Sequence, residues 1–340
     1  MNRKNIVLFF AVVFFCSCSN KIDLLDNWKE TMVVYGLLNQ SDSIQYIQIN
    51  KAYLGQGNAL QMAQAYDSIN YSNQLSVKME QWLNGNMVAS YTLQRDSSIS
   101  KDPGVFSYPK QVLYATNAVL DATGASEYDL TITNTKTGKV VKGKTNLVQS
   151  VSFIYPSPNQ PISLTNLVSP IRVRWPAANN GKLYQLTVRF HYSEKNKSTG
   201  VTVAKYVDWL FSEEEVTDFT SGGEADFYGT DFYKFLRGCG QFSTSGEYIY
   251  YAGNLDFMLA IAAPDFATYM EVYQPSTSIV QEKPEFTNIQ NGIGLFSARL
   301  NISALNCPLT SFSLDSLYAG QYTAGLGFCS SNTTSPYYCH

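Results

Sequence analysis

The stretch LSVKMEQWLNGNMVASYTLQ, residues 75–94, decides the fold class of this chain. Its first half alternates, so Leu75, Val77 and Met79 share one face of an extended chain. An Asn-Gly turn ends this run, and a second run of strand-forming residues follows. An apolar run that ends in Asn-Gly and is followed by another predicts a β-hairpin.

Similar runs on both sides of the hairpin extend this interpretation to a whole domain. Residues 31–38 and 43–52 are rich in apolar and β-branched side chains, and residues 128–133 alternate before a turn that contains glycine. Residues 59–66 predict a short helix in a loop. About seven short strands separated by turns are typical of an immunoglobulin-like β-sandwich, which we predict for residues 29–149.

A proline-rich joint separates this region from a second one. Three prolines fall within six positions of the joint at 150–161, which stiffens a linker. Behind it, a strand at 171–175 and an alternating run at 184–190 resemble the start of a fibronectin type III domain. Any other antiparallel sandwich fits these two strands equally well.

Helical spacing appears later in the second region. Apolar residues predict helices over 226–237, after Pro264 and at 314–318. We therefore predict a β-rich domain with two or three short helices over residues 162–328, and a protein that is mainly β overall.

Composition agrees with this architecture. The chain has 340 residues, a net charge of −3, 14% aromatic and 15% charged residues. Tyr, Phe, Val and Thr favour pleated, half-buried surfaces, and the length exceeds that of a typical single domain. No long basic run is present, which disfavours binding to nucleic acid.

The first residues predict secretion. Arg3 and Lys4 precede an apolar run at 6–15, and a small side chain precedes Cys18. A basic start, an apolar stretch and a small residue before the cut define a signal peptide, predicted here for residues 1–17. The run is shorter than the roughly 20 apolar residues of a membrane-spanning helix.

Cys18 is predicted to carry lipid. Lipoprotein signal peptidase needs a small residue before the modified cysteine, and Ser17 precedes Cys18 whereas Phe15 precedes Cys16. Several acyl chains such as palmitate on one cysteine make a lasting anchor, with residues 18–28 as its tether. An ordinary signal peptide with chance cysteines is the alternative. We place the chain on the outer membrane and leave its cell-surface and periplasmic faces both open.

Four cysteines remain for cross-linking: Cys239, Cys307, Cys329 and Cys339. An oxidising compartment permits disulfides, and four cysteines allow three pairings between which the sequence cannot choose. A bond from Cys329 to Cys339 would close a loop in the tail at 329–340, and Cys239 would then pair with Cys307. Close Cys-x-x-Cys spacing is missing, so we predict no metal site.

The sequence contains no recognisable catalytic constellation. His191 belongs to an alternating run and is predicted to face solvent, and no serine-hydrolase, zinc-protease or nucleotide-binding motif occurs. The acidic run at 213–215 is interpreted as a solvated loop. Weak calcium binding by Glu213, Glu215 and Asp218 is the alternative, although the stretch lacks the Asp-x-Asp-x-Asp-Gly order of calcium loops. We therefore predict a protein that is not an enzyme and needs no cofactor.

One motif near the end of the second region has structural character. The run TNIQNGIGLF, residues 287–296, contains the turn-motif residues Asn288, Asn291, Gly292, Gly294 and Phe296. Its glycines permit a positive φ or close approach of backbones. We interpret the run as a tight turn that locks two strands, with a ligand-contacting loop as the alternative.

Three stretches carry a family resemblance: DFYKFL at 231–236, PEFTNIQNGIGLF at 284–296 and DSLYAG at 315–320. Together with the predicted lipid-attachment segment that ends at Cys18, they resemble a Bacteroidetes outer-membrane lipoprotein family defined as a domain of unknown function. The resemblance covers residues 18–328. Members of the family look like companions of TonB-dependent receptors, which implies an accessory role and brings no catalytic residues.

Three functional hypotheses follow. The first is a non-catalytic accessory or binding lipoprotein, attached to the membrane by its N-terminal lipid and partnered by an outer-membrane receptor. The second is a surface adhesin or stalk protein, and the third is a hydrolase that uses the carboxylates of the acidic run. The sequence does not identify a ligand for any of the three.

Overall fold

The structure is a computed structural model, and it describes residues 31–52, 59–166, 169–212, 214–215, 222–273 and 285–339. The predicted signal peptide, Cys18 and the tether lie outside these ranges. Within them the protein is mainly β, with large sheets of sandwich type and few short helices, which confirms the predicted fold class.

Seven strands form the first half of the described chain. They are β1 (Thr31–Leu38), β2 (Gln45–Ala52), β3 (Leu75–Leu83), β4 (Asn86–Asp96), β5 (Leu113–Thr116), β6 (Glu127–Asn134) and β7 (Val140–Asn146). The predicted hairpin is confirmed, because β3 pairs antiparallel with β4. Asn84 and Gly85 connect them with φ of 51° and 78°, as a two-residue hairpin turn of type I′ requires.

The second half contributes seven more strands. They are β8 (Ile171–Trp175), β9 (Leu183–Asn196), β10 (Thr202–Leu210), β11 (Glu214–Glu215), β12 (Gly223–Phe227), β13 (Tyr248–Ala262) and β14 (Ile293–Cys307). The alternation predicted for 184–190 is confirmed, since Tyr184, Leu186, Val188 and Phe190 are all buried. β8 and β9 belong to different sheets, because β8 pairs with β12 in a separate two-stranded sheet.

Five helices complete the described ranges: α1 (Ala59–Gln64), α2 (Tyr66–Ile69), α3 (Gly229–Gly238), α4 (Pro264–Tyr273) and α5 (Ser311–Ala319). The prediction of a helix over 226–237 is wrong at its start, because Asp226 and Phe227 belong to β12 and pair with β8. A capping box begins α3 instead, with Tyr228 N donating to the Asp231 carboxylate at 3.0 Å. None of the helices in these ranges is long and apolar enough to cross a membrane.

One large sheet runs through both predicted domains. Its order is β10-β9-β13-β14-β1-β2-β5-β4-β3-β6-β7, with β11 beside β9. β1 joins the two halves because Val34 pairs with Gly294 of β14 in parallel and with Ile49 of β2 antiparallel. The joint predicted at 150–161 therefore separates two regions of sequence without dividing the sheet.

The core is continuous through both halves and is most aromatic in the second. Phe190 of β9 meets Phe232 of α3 edge to face, with 5.5 Å between ring centroids. Trp209 of β10 stacks on Phe235 of α3 at 5.4 Å. Aromatic pairs in these geometries add to the stabilisation that burial gives, and here they hold α3 against β9 and β10.

The structure forms one of the two candidate disulfides. Cys329 and Cys339 are bonded, with 5.4 Å between their Cα atoms, which confirms that pairing. Cys239 and Cys307 are free, so the second candidate pairing is wrong. The Cys307 thiol is buried at the end of β14 and donates to the Ser157 carbonyl at 3.5 Å, whereas the Cys239 thiol donates at 3.2 Å to a carbonyl of its own helix, α3.

Candidate functional site

A groove runs across the outward face of β1 and β2. In β1, Val33 and Tyr35 lie between buried neighbours, and in β2, Tyr46, Gln48 and Asn50 alternate with buried residues. Successive side chains of a strand point to opposite faces of the sheet. These five side chains therefore form the floor of what we call the β1–β2 groove.

The larger part of this groove is a cavity of about 600 Å³, here called the sheet cavity. Its floor is formed by β1 and β2, and its walls by α1, α2 and the loop at 100–111. Small-molecule sites have volumes of this order. The lining residues are Val33, Tyr35, Gln48, Asn50, Lys51, Ala52, Ala63, Ile69, Asn70, Lys101, Phe106, Ser107, Lys110 and Gln111.

Hydrogen bonds within the chain hold the walls of the sheet cavity. Ser107 N donates to a carbonyl of α1 at 2.8 Å, and Lys101 N donates to Pro109 O at 2.9 Å, which closes the loop on itself. Asn50 Nδ2 donates to Asn70 Oδ1 at 3.1 Å and so ties the end of α2 to β2. These bonds therefore fix the walls of the cavity to one another and to its floor.

The described lining of the sheet cavity is charged with one sign only. It contains Lys51, Lys101 and Lys110 and has no carboxylate, imidazole or thiol. Lys51 Nζ donates to a backbone carbonyl at 3.2 Å and lies 5.2 Å from the ring centroid of Tyr71, and Lys101 Nζ lies 5.6 Å from that of Phe106. None of these partners is an anion, and among the described residues no salt bridge involves any of the three lysines.

A second depression of about 370 Å³ continues the groove towards α4 and shares Tyr35 and Gln48 with the sheet cavity. Tyr269 of α4 donates to the Tyr35 hydroxyl at 3.4 Å, and the two rings meet edge to face at 6.1 Å. Burial and the Tyr269 hydroxyl raise the pKa of Tyr35. Tyr35 therefore keeps its proton and can donate a hydrogen bond into the groove.

The predicted turn motif lies behind the groove, where β14 meets β1. Asn291 and Gly294 have φ of 60° and 116°. A Cβ on Gly294 would lie 2.0 Å from the Val34 carbonyl oxygen, and one on Gly292 would lie 3.0 Å from a carbonyl of β1. Phe296 is fully buried. These residues bring β14 against β1 and support the floor of the groove.

Asn288 of the same motif closes an open edge of β14. β13 pairs with β14 only from Arg299 onward, so no strand of the described residues pairs with Phe296 on that side. Asn288 takes its place, because its Oδ1 accepts from Phe296 N at 2.9 Å and its Nδ2 donates to Phe296 O at 2.8 Å. The same Nδ2 donates to Asp265 at 2.6 Å. This contact fixes the start of α4, the helix that presents Tyr269 to the groove.

Replacing Asn288 with alanine is expected to lower the free energy of unfolding by about 2–3 kcal/mol, because the backbone groups of Phe296 lose their partners inside the protein. Asn86→Ala is the matched control. The Asn86 amide donates to Asn84 O in an exposed turn, and a surface change of this kind is expected to cost less than about 0.5 kcal/mol. Urea unfolding followed by circular dichroism measures both variants. Equal destabilisation would contradict the role given to Asn288.

His191 faces solvent on β9, with 41% of its side chain exposed. Its Nε2 lies 2.6 Å from Asp256 Oδ2, and Asp256 Oδ1 accepts from Asn306 N at 2.8 Å. A hydrolytic triad also holds a nucleophile at the other ring nitrogen, and no hydrogen bond reaches His191 Nδ1 within the described residues. The pair is therefore a surface contact between β9 and β13.

The structure describes little of the acidic run. Glu213 and Asp218 lie outside the described residues, and Glu214 and Glu215 form β11, which pairs with the start of β9. In the ranges that are described, no group of three His, Cys, Asp or Glu side chains lies close enough to hold a metal ion. The calcium and hydrolase hypotheses for this run stay predictions.

The groove is the feature that sequence reasoning missed, since none of its residues is among the predicted site residues. One signal is present in the sequence. Over residues 45–52, tyrosine, glutamine and asparagine alternate with isoleucine, which marks a strand whose outward face is polar and aromatic. Nothing in that pattern says what lies opposite this face.

Comparison with known proteins adds no identification. No family model and no curated protein matches the chain. A solved structure of a cytokine receptor complex aligns with 82% of this chain and 99% of its own, at 10% sequence identity and a TM-score of 0.21. That likeness carries no inference about function. The structure therefore defines the chain as a mainly β protein that has a basic cavity on strands β1 and β2.

Proposed function

We propose that this chain is a non-catalytic, lipid-anchored binding protein of the outer membrane, which serves as an accessory subunit beside a TonB-dependent receptor. The observation that carries the proposal is the β1–β2 groove. It is held open by hydrogen bonds of the chain itself, and its surface combines apolar side chains with amide, phenol and ammonium groups. Such a surface binds and orients a ligand.

Binding fits the sheet cavity better than catalysis does. General acid–base catalysis needs a group that exchanges protons near neutral pH. The described lining of the sheet cavity has no carboxylate, imidazole or thiol, and the raised pKa of Tyr35 keeps its phenol protonated. The groups that remain donate and accept hydrogen bonds or attract charge.

The position of the groove suits a protein anchored at Cys18. Thr31, the first residue of β1, pairs with Ala52, which lines the sheet cavity. The cavity therefore lies at the end of β1 from which the chain continues towards Cys18. Even fully extended, the segment between Cys18 and Thr31 spans at most about 45 Å. A ligand in the cavity would thus stay within reach of a receptor in the same membrane.

Co-purification tests this accessory role. A tagged full chain, extracted from membranes in mild detergent after brief cross-linking, is expected to bring an outer-membrane receptor with it. An unrelated tagged lipoprotein from the same membranes measures the background. Recovery of no envelope protein above that background would contradict the proposal.

A further inference from the structure

We propose that the sheet cavity binds an anionic amphiphile, a ligand with a carboxylate or phosphate group on an apolar body. This inference rests on the proposed binding role of the β1–β2 groove and specifies its ligand class. Two properties of the side chains that line the cavity support this inference. They are an excess of positive charge and a large apolar share.

The cavity is positively charged, whereas the whole chain has a net negative charge. The whole sequence has 24 basic and 27 acidic residues, yet the described lining has three lysines and no acidic residue. Elsewhere on the surface lysines meet carboxylates, as Lys144 meets Glu127 at 2.6 Å. The cavity lysines have no such partners within the described residues. A concave surface that carries one sign of charge concentrates ligands of the opposite sign.

The apolar share of the lining argues against a small anion that has no apolar body. Val33, Ala52, Ala63, Ile69 and Phe106 all face the cavity. A bare phosphate or acetate would leave this surface in contact with water, whereas an alkyl or aromatic body would cover it. Burial of apolar surface contributes about 25 cal/mol per Å², so the body of the ligand supplies affinity and the charged group supplies orientation.

The loop at 100–111 has the same two-part character. Val105, Phe106 and Tyr108 at its tip are each more than half exposed, and Lys101 and Lys110 lie on its two arms, with Asp102 next to Lys101 in sequence. Apolar side chains at a tip with basic residues behind it match an apolar body with an anionic head. A free amphiphile offers this chemistry, and so does an anionic lipid in a bilayer.

Titration calorimetry with decanoate tests the proposal. The protein to use is the full mature chain carrying Cys18→Ser, made without its signal peptide so that it carries no lipid. We expect decanoate to bind with one-to-one stoichiometry. Decyltrimethylammonium, which has the same chain and the opposite charge, and acetate, which lacks the chain, are each expected to bind at least about tenfold more weakly, a difference of about 1.4 kcal/mol. Equal binding of either control ligand would overturn the proposal.

Two charge-matched triple variants locate the site. Lys51→Gln, Lys101→Gln and Lys110→Gln together are expected to weaken decanoate binding about tenfold or more, which corresponds to about 1.4 kcal/mol. Lys78→Gln, Lys136→Gln and Lys197→Gln remove the same charge from exposed positions outside the cavity and are expected to leave binding unchanged. Equal weakening in both triple variants would overturn the cavity as the site. Phe106→Ser, at a half-exposed position that does not endanger the fold, is expected to weaken binding as well.

Vesicles separate the two sources of the ligand. Decanoate binding without sedimentation on phosphatidylglycerol vesicles indicates a free amphiphile, and sedimentation that decanoate reverses indicates a bilayer lipid. Sedimentation without any decanoate binding would overturn the cavity proposal in favour of surface docking by the loop. If decanoate does not bind, the ligand proposal fails, but the expected co-purification with a receptor is not affected. Absence of a receptor beside intact decanoate binding would remove the accessory role alone.

Discussion

Replacing Gly294 with valine is expected to lower the free energy of unfolding of this chain by about 2–6 kcal/mol. The residue has a φ of 116°, and any Cβ there would lie 2.0 Å from the Val34 carbonyl oxygen of β1. A non-glycine residue in such a backbone conformation costs roughly 1–3 kcal/mol, and forced overpacking typically costs about 1–3 kcal/mol more. Because β1 joins the two halves of the sheet, β14 cannot move away without breaking that junction. The two costs together, about 2–6 kcal/mol, are a large part of the stability of many domains.

Gly85→Val isolates the steric part of this effect. Gly85 also has a positive φ, 78°, but nothing lies within 4 Å of the position that its Cβ would take. The control variant should therefore lose only the conformational share, roughly 1–3 kcal/mol. Thermal unfolding by circular dichroism and limited proteolysis compare the two. Similar melting temperatures for both variants would show that contact between β14 and β1 tolerates a side chain at Gly294.

Local patterns predicted the elements of this fold well. The alternation from Tyr184 to Phe190 and the Asn84-Gly85 turn depend only on residues a few positions apart. The structure confirms both of them. The helix before Gly238 begins later than predicted for a reason that is not local. The first two residues of the predicted range, Asp226 and Phe227, pair with β8 instead, about 50 positions earlier in the chain. The pattern of apolar residues within the segment gives no sign of that partner.

The groove depends on contacts of this distant kind. Its floor needs β1 and β2, one wall needs the loop that carries Lys101, and the neighbouring depression needs Tyr269, which reaches Tyr35 across more than 200 positions. The parallel pairing of β1 with β14 brings these parts together. A single sequence shows each side chain but not their convergence, so the site could be read only from the structure.

The cysteines show the same limit on a smaller scale. Sequence allowed three pairings, and the structure forms only the bond between residues ten positions apart, Cys329 and Cys339. Cys307 is the buried last residue of β14 and Cys239 lies at the end of α3, and the two thiols are not bonded to each other. Element assignment alone could not have excluded their pairing.

Replacing Cys18 with serine is expected to abolish acylation and to move nearly all of the protein from the membrane fraction to the soluble fraction. Acyl chains attach through the cysteine sulfur, which serine lacks. Each buried methylene contributes about 0.8 kcal/mol, so the loss of several chains removes the anchor entirely. The apolar run at 6–15 offers no substitute, since it is about half the length of a membrane-spanning helix. Fractionation with labelled palmitate measures both effects.

Cys16→Ser provides the matched control for the anchor, two positions away and with the same chemical change. Phe15 precedes Cys16, whereas the small Ser17 precedes Cys18, so cleavage is expected before Cys18 and Cys16 should leave with the signal peptide. The Cys16→Ser variant should therefore keep its palmitate label and its place in the membrane. If the label followed Cys16, or if Cys18→Ser stayed labelled, the anchor would lie elsewhere. The argument that the groove lies close to a receptor in the same membrane would then no longer hold.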